Sequence, residues 1–420
     1  MEKAKTYAKK IIKHPLFSGS MIMIIGSNLT NVFAYIYHFL IGRMLGPSSY
    51  SELSSVIGIL TIIFTTFTFL STVIVKFVSA ENSESGQIFL WFKKRVLSLG
   101  VVIFIAIILV SPFISGYLKV DIATVILIAP ITLFAIIGVL YRSFIQGKMK
   151  FKEVAISSNI DIVVRLMVSV LAVYFGAKVF GAVFGIFAGV VVGVIYLSVK
   201  MRLFLKDIRK EKELKSLHTV LRYSLPVFVT SLSTNFVLSM DVIMVKHFFN
   251  PHDAGIYASL STLGRVILYA AGPVGTVMFP LISKNHANGK KYLHFFFLSS
   301  MITAFICVSG IIGYAIFPKL AIQILFGSKY IEGAQYLVWF ALFISLFTLT
   351  QLFISLFLSI NKTKITYVSL LAVAVQFLGI NLFHDTILQV IRVSTFASAL
   401  LLIILVIYFL YTKTNEEKSN

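Results

Sequence analysis

Cysteine and acidic residues are scarce in this chain, and each scarcity removes a class of function. A single cysteine, Cys307, excludes any disulfide within the chain, and its place inside an apolar run suits a small packing residue. Asp and Glu together number 16 against 37 Lys and Arg. No long polar segment gathers them over an extramembrane acceptor site, which weighs against a membrane glycosyltransferase or polymer ligase. Also missing are His-x-x-x-His spacings, nucleophile elbows and phosphate-cradling glycine loops, and the eight histidines are scattered. The sequence therefore calls for no catalytic residue, no metal and no cofactor. Charge of either sign is sparse, at 13% of residues.

Apolar side chains take up the space. Hydrophobic residues make up 58% of the chain, with a mean hydropathy of +0.94. No interior of a 420-residue globule hides that much apolar surface, so the bilayer must be the solvent. Twelve apolar stretches are long enough to cross it, approximately 17–41, 50–78, 96–118, 122–146, 154–175, 177–199, 221–247, 254–282, 292–317, 331–360, 365–383 and 386–411. None alternates with period two, as a membrane barrel requires, so the spans are helices. The first run is longer than a signal-peptide core and lacks a small-x-small cleavage site, so it is expected to stay as an anchor.

The net charge of +21 follows the topology. If the spans alternate from a cytoplasmic Met1, one side collects 25 of the 37 basic residues, including Lys3 to Lys13, Lys93 to Arg95, Lys148 to Lys152 and the run from Lys200 to Lys215. Six fall on the other side and six inside spans. That bias in short loops is the positive-inside pattern, and it predicts a multi-pass cell-membrane protein with both termini cytoplasmic. Attraction to anionic lipid explains the basic loops better than nucleic acid does.

The chain also repeats itself about 205 residues apart. Asn31, then Pro47 and Tyr50-Ser51-Glu52-Leu53-Ser54-Ser55, is echoed by Asn235, then Pro251 and Tyr257-Ala258-Ser259-Leu260-Ser261-Thr262. An apolar run, a proline turn and a second apolar run in each half point to a transporter of two matching bundles, with a substrate path where they meet. The predicted parts are an N-terminal six-helix lobe over 1–205, a basic cytoplasmic linker over 206–219 and a C-terminal six-helix lobe over 220–420.

The chemistry must then lie in polar residues within spans. Asn31 and Tyr35 share a helical stripe in the first span. Thr230, Thr234 and Asp241 share one in the seventh, beside Asn235, and Ser261, Arg265 and Tyr269 share one in the eighth. Small and hydroxylated residues at this spacing also serve helix packing. Ionised groups carry more information, because each costs on the order of 2.5–3.5 kcal/mol at mid-bilayer. Arg265 and Arg165 lie near the midplane by helical rise. Asp161 precedes Arg165 by one turn and suits an intrahelical ion pair. Asp241 either pairs with Arg265 or lines an outer vestibule, while Lys76, Arg142 and Arg222 sit near inner ends, where snorkelling is expected. The spans hold six cations (Lys76, Arg142, Arg165, Arg222, Arg265 and Arg392) against two anions (Asp161 and Asp241). That balance favours an anionic head group, and arginine's planar fork suits pyrophosphate.

Three short segments resemble a known family. Arg43-Met44-Leu45-Gly46-Pro47-Ser48-Ser49-Tyr50 resembles the Arg-x-Leu-Gly-Pro-x-x-Tyr-Gly turn of polysaccharide and O-antigen flippases in the multidrug/oligosaccharidyl-lipid/polysaccharide (MOP) exporter superfamily, with Ser51 in place of the usual glycine. Asp241 through Ala254-Gly255-Ile256-Tyr257 is similar to a second motif of that family, and Phe279-Pro280-Leu281-Ile282-Ser283-Lys284 to the end of its eighth helix. The resemblance implies an all-α integral membrane protein of about 12 helices in two pseudo-symmetric six-helix bundles, MATE-like. It further implies a lipid-linked oligosaccharide as cargo, turned over from the inner to the outer leaflet, with a polysaccharide polymerase and glycosyltransferases as partners beside the lipid bilayer. On that reading Arg265, Arg165 and Lys76 meet the pyrophosphate, while Asn31, Tyr35, Asn235, Asp241, Tyr269 and Asp161 line the cavity. An ion-coupled drug or metabolite antiporter of the same fold, and a membrane glycosyltransferase or ligase, stand as alternatives.

Overall fold

A computed structural model describes residues 15–80, 85–205, 217–288 and 290–419. Its secondary structure there is helical throughout. The helices are α1 (Pro15–Ala80), α2 (Ser85–Leu118), α3 (Ile122–Ile126), α4 (Ile128–Gly147), α5 (Phe151–Tyr174), α6 (Lys178–Leu205), α7 (Leu217–Phe248), α8 (Pro251–Ala287), α9 (Leu293–Ile316), α10 (Pro318–Leu325), α11 (Leu337–Ser359), α12 (Ser369–Leu382) and α13 (Ile387–Ser419). Short 3₁₀ turns over Ser328–Tyr336 and Thr363–Val368 lead into α11 and α12.

Among the described residues, eleven helices are long and apolar enough to cross a membrane. The first of these, Ile25–Phe67, has 43 residues. At 1.5 Å per residue it would run about 65 Å, twice the hydrocarbon thickness. Gly46 resolves the mismatch. With φ 73° and ψ 173° it interrupts α1, so two helices follow one another there and the eleven become twelve.

The chain divides into two compact units, Met1–Leu45 with Ile63–Leu221, and Gly46–Ile62 with Arg222–Asn420. The sequence reading kept 46–62 in the first lobe; the structure packs it into the second unit. Tyr50, Leu53 and Val56 are fully buried there. The reason lies at the two proline turns, where Gly255 has no Cβ and the backbone of Pro47 occupies the space one would fill. Gly58 packs likewise on Ile243 of α7. Tyr50 lies edge-on to Phe326 and Tyr330, and Tyr257 edge-on to Phe340, so the core of this unit is largely aromatic.

The first unit is built differently. Its apolar core joins Phe67, Ile74 and Val78 of α1 to Phe89 and Phe92 of α2 and to Phe144 of α4. Beside it, α6 carries glycine at every fourth position, Gly181, Gly185, Gly189 and Gly193, which forms a smooth lane against α5. Without side chains on that lane the two backbones close up, as small residues allow where lipid gives no hydrophobic drive between helices. Ser157 Oγ donates to the Gly193 carbonyl at 3.3 Å and Ser169 Oγ to that of Ala182 at 2.9 Å. Large apolar side chains on the outer faces, such as Leu109 and Phe113 of α2 or Met301 and Phe305 of α9, are exposed in the protein and suited to lipid.

Candidate functional site

Among the described residues, each unit holds an ionic cluster within its spans. In the first, Asp161 and Arg165 stand one turn apart on α5, and Arg165 Nη2 donates to Asp161 Oδ1 at 2.9 Å. The side chains are 15% and 24% exposed, respectively, so the pair is enclosed without being sealed. The glycine lane makes this possible, since a Cβ on Gly189 would collide with the carbonyl oxygen and carboxylate of Asp161. Arg142, on α4, lies within electrostatic reach of both residues. The Nε–H groups of Arg142 and Arg165 are both buried without an acceptor. Depth in the span had assigned Arg142 to snorkelling, a reading made without the carboxylate of Asp161 on the next helix.

In the second unit Asp241 is fully buried. Tyr257 donates its hydroxyl to Asp241 Oδ2 at 2.8 Å, and the Val242 N–H donates to Oδ1 at 2.8 Å. Arg265 lies within electrostatic reach of that carboxylate and donates a guanidinium N–H to the Leu238 carbonyl, leaving its Nε–H buried without an acceptor. Of the two placements the sequence left open for Asp241, beside Arg265 or in an outer vestibule, its full burial between α7 and α8 goes with the first. Gln376 of α12 donates to the Val237 carbonyl of α7 at 3.1 Å and to Ser394 Oγ of α13 at 3.0 Å, tying three helices together.

The remaining predicted residues spread along these helices. Asn31 is exposed on α1, and Tyr35, half-buried one turn on, packs its ring 5.7 Å from Phe39. Asn235 is half-buried and turns its amide back to the Ser231 carbonyl at 2.9 Å. Tyr269 is 51% exposed, one turn beyond Arg265. The Lys76 side chain lies outside what is described, as does most of the predicted linker. Arg392 stacks over Trp339, 5.7 Å from the ring. The structure thus joins Asp161 to Arg165 and sets Asp241 beside Arg265. It adds two residues that periodicity along one helix does not reveal, Arg142 and Tyr257. Tyr257 did carry a signal, as the last residue of the Ala-Gly-Ile-Tyr turn.

Comparison with known proteins fits this architecture. An inward-facing MATE family transporter of the MOP superfamily superposes with a TM-score of 0.71 at 13% identity, over 92% of this chain and 94% of that one. The lipid II flippase MurJ in an inward closed conformation gives 0.71 at 14% identity, over 94% and 87%. A MOP superfamily transporter from Pyrococcus furiosus gives 0.63 at 15% identity, over 96% of each chain. The fold is that of the MOP transporters. A family model described as polysaccharide biosynthesis protein matches residues 16–286, and the chain belongs to that family. An uncharacterized membrane protein of Methanocaldococcus jannaschii is 25% identical over 349 residues, 78% of this chain and 82% of the relative. The chain thus combines membership of the polysaccharide biosynthesis family with the fold of the MOP transporters.

Proposed function

We propose that this protein flips a polyprenyl-pyrophosphate-linked oligosaccharide from the inner to the outer leaflet by alternating access. The observation that carries the reading is a guanidinium at mid-span in each unit, Arg165 and Arg265, in a chain of the polysaccharide biosynthesis family. An arginine kept at that depth has to serve something anionic, and a pyrophosphate offers two phosphoryl groups to planar donors. Lys76 guides the head group inward from the cytoplasm, while Asn31, Tyr35, Asn235 and Tyr269 border the sugar by hydrogen bonding and ring stacking. Asp161 and Asp241 set the charge around the arginines. The antiporter alternative relies on those same two carboxylates, and both are already engaged, by Arg165 and by Tyr257.

A cell lacking the protein tests the reading. It is expected to accumulate lipid-linked oligosaccharide on the inner leaflet and to lose the surface glycan, with the wild-type gene restoring both. Arg265→Ala and Arg165→Ala should fail to restore export at normal protein levels. Unchanged leaflet distribution of the lipid-linked sugar in the null cell would overturn the assignment.

A further inference from the structure

A polar cavity of about 530 Å³ lies at one end of the second unit and shares no residue with the Asp241 cluster. Four segments meet there: the end of α7, the start of α8, the 3₁₀ turn before α11 and the loop between α12 and α13. The positive-inside pattern assigns this end to the outer side. Rings form part of the wall. Phe248 and His384 stack with centroids 3.9 Å apart, and Tyr336 lines the same space. His384 Nδ1 donates to the Ile380 carbonyl at 3.0 Å, which fixes the ring and, in its neutral form, leaves Nε2 to accept. Carboxylates line the rest. Asp253 Oδ2 accepts from Asn250 Nδ2 at 2.7 Å, Glu332 Oε2 from His252 Nε2 at 3.1 Å and Asp385 Oδ2 from Gln389 Nε2 at 3.4 Å. Each is oriented through one oxygen and keeps the other for a ligand.

This lining selects its ligand by exclusion. A phosphate would meet three carboxylates and no Lys or Arg. Among the described residues no three of His, Cys, Asp and Glu are grouped to hold a metal ion. Hydroxyl groups do fit, because they donate to oriented carboxylates and amide oxygens while the C–H face of a pyranose packs on a ring. The volume suits a small ligand of that kind. We infer that this cavity binds sugar units of a glycan, neutral or amine-bearing, and rejects acidic ones. The inference rests on the flippase reading for the source of the glycan. It adds an outer-side subsite made of none of the residues proposed above to border the sugar.

The test uses purified full-length protein in nanodiscs of zwitterionic lipid, with the trimers of N-acetylglucosamine, glucosamine and galacturonic acid as probes. Calorimetry and saturation-transfer NMR are expected to show saturable, millimolar binding of the first two, several-fold tighter for the amine, and none of the third. Tyr336→Ala should weaken both about tenfold, and Tyr336→Phe should keep most of the affinity. Glu332→Gln combined with Asp385→Asn changes two exposed side chains. That double variant should melt like wild type and lose the preference for the amine while still binding the neutral trimer, which keeps the test decisive if Tyr336→Ala melts early. No saturation by either trimer, or wild-type behaviour in both Tyr336→Ala and the double variant, overturns the site and leaves the flippase reading standing. Equal binding of the galacturonic acid trimer overturns it as well, since carboxylates facing the ligand would repel it. If the sugars bind as expected while a null cell keeps its leaflet distribution of lipid-linked sugar, the cavity stands as a glycan site and the flippase reading falls.

Discussion

The two ionic clusters reach similar chemistry by different routes. In the first unit acid and base are neighbours on one helix, four residues apart, and both remain partly open. In the second, the acid on α7 is met by a tyrosine and an arginine from α8, and it is sealed. A pair set by local helix geometry survives small shifts of neighbouring helices. A cluster assembled across helices depends on their packing and in turn holds them in register. The first arrangement suits a site that must open to a ligand; in the second, Asp241 and Tyr257 form a structural clamp, and Arg265 beside them is only half-buried.

Removing each acid is the sharpest way to break that distinction. Asp241→Ala removes the fully buried carboxylate that accepts from Tyr257 and lies beside Arg265, and is expected to destabilise the protein by about 3–5 kcal/mol. Asp161→Ala loses one charge-assisted hydrogen bond at a partly open site, expected to cost about 1.5–3 kcal/mol. Denaturant unfolding of the two variants in micelles compares them directly. Equal losses would mean that the first cluster is as much a clamp as the second.

What the sequence revealed divides along the same line. Span lengths and the positive-inside bias are properties of single segments, so the helical membrane fold was legible from apolar runs alone. The Asp161–Arg165 pair was legible too, because a spacing of four is one helical turn. Tyr257 lies sixteen positions beyond Asp241, across a turn between two helices, and no single-helix periodicity reports that contact. Arg142 was judged by depth alone, which ignores a carboxylate on the next helix. The exchange of 46–62 into the second unit was hidden for a similar reason: the repeat marks the two proline turns as equivalent but says nothing of Gly255 meeting Pro47.

Close backbone approach provides the second test, because each unit relies on it at a different place. Gly255→Ala would place a methyl against three backbone atoms of Pro47, and Gly189→Ala against the Asp161 carbonyl oxygen. Neither neighbour is a flexible side chain, so each substitution is expected to cost about 1–3 kcal/mol by overpacking. The consequences should differ. Gly189→Ala displaces Asp161 and so should weaken pyrophosphate binding together with stability, whereas Gly255→Ala should lower stability with binding retained. Paired melting and binding curves separate the two outcomes. Loss of binding in both variants would show that the clusters are not independent.

The smallest expected effect comes from neutral hydrogen bonds in the two units. In the first, Tyr37 donates its hydroxyl to the Ala182 carbonyl at 3.2 Å, but that carbonyl also accepts from Ser169 Oγ. Tyr37→Phe therefore leaves the acceptor satisfied and should cost about 0.5 kcal/mol, the low end for a single hydrogen bond. In the second unit, the hydroxyl of the fully buried Tyr50 meets Thr262 Oγ1 at 2.9 Å. Thr262→Val preserves shape while removing that partner, and about 1 kcal/mol is expected. Combining Tyr37→Phe with Ser169→Ala should exceed the sum of the single losses, because only the double variant strips Ala182 of both side-chain donors. Strict additivity in that cycle would show that the shared carbonyl carries no redundancy, and the first unit would then tolerate local loss no better than the second.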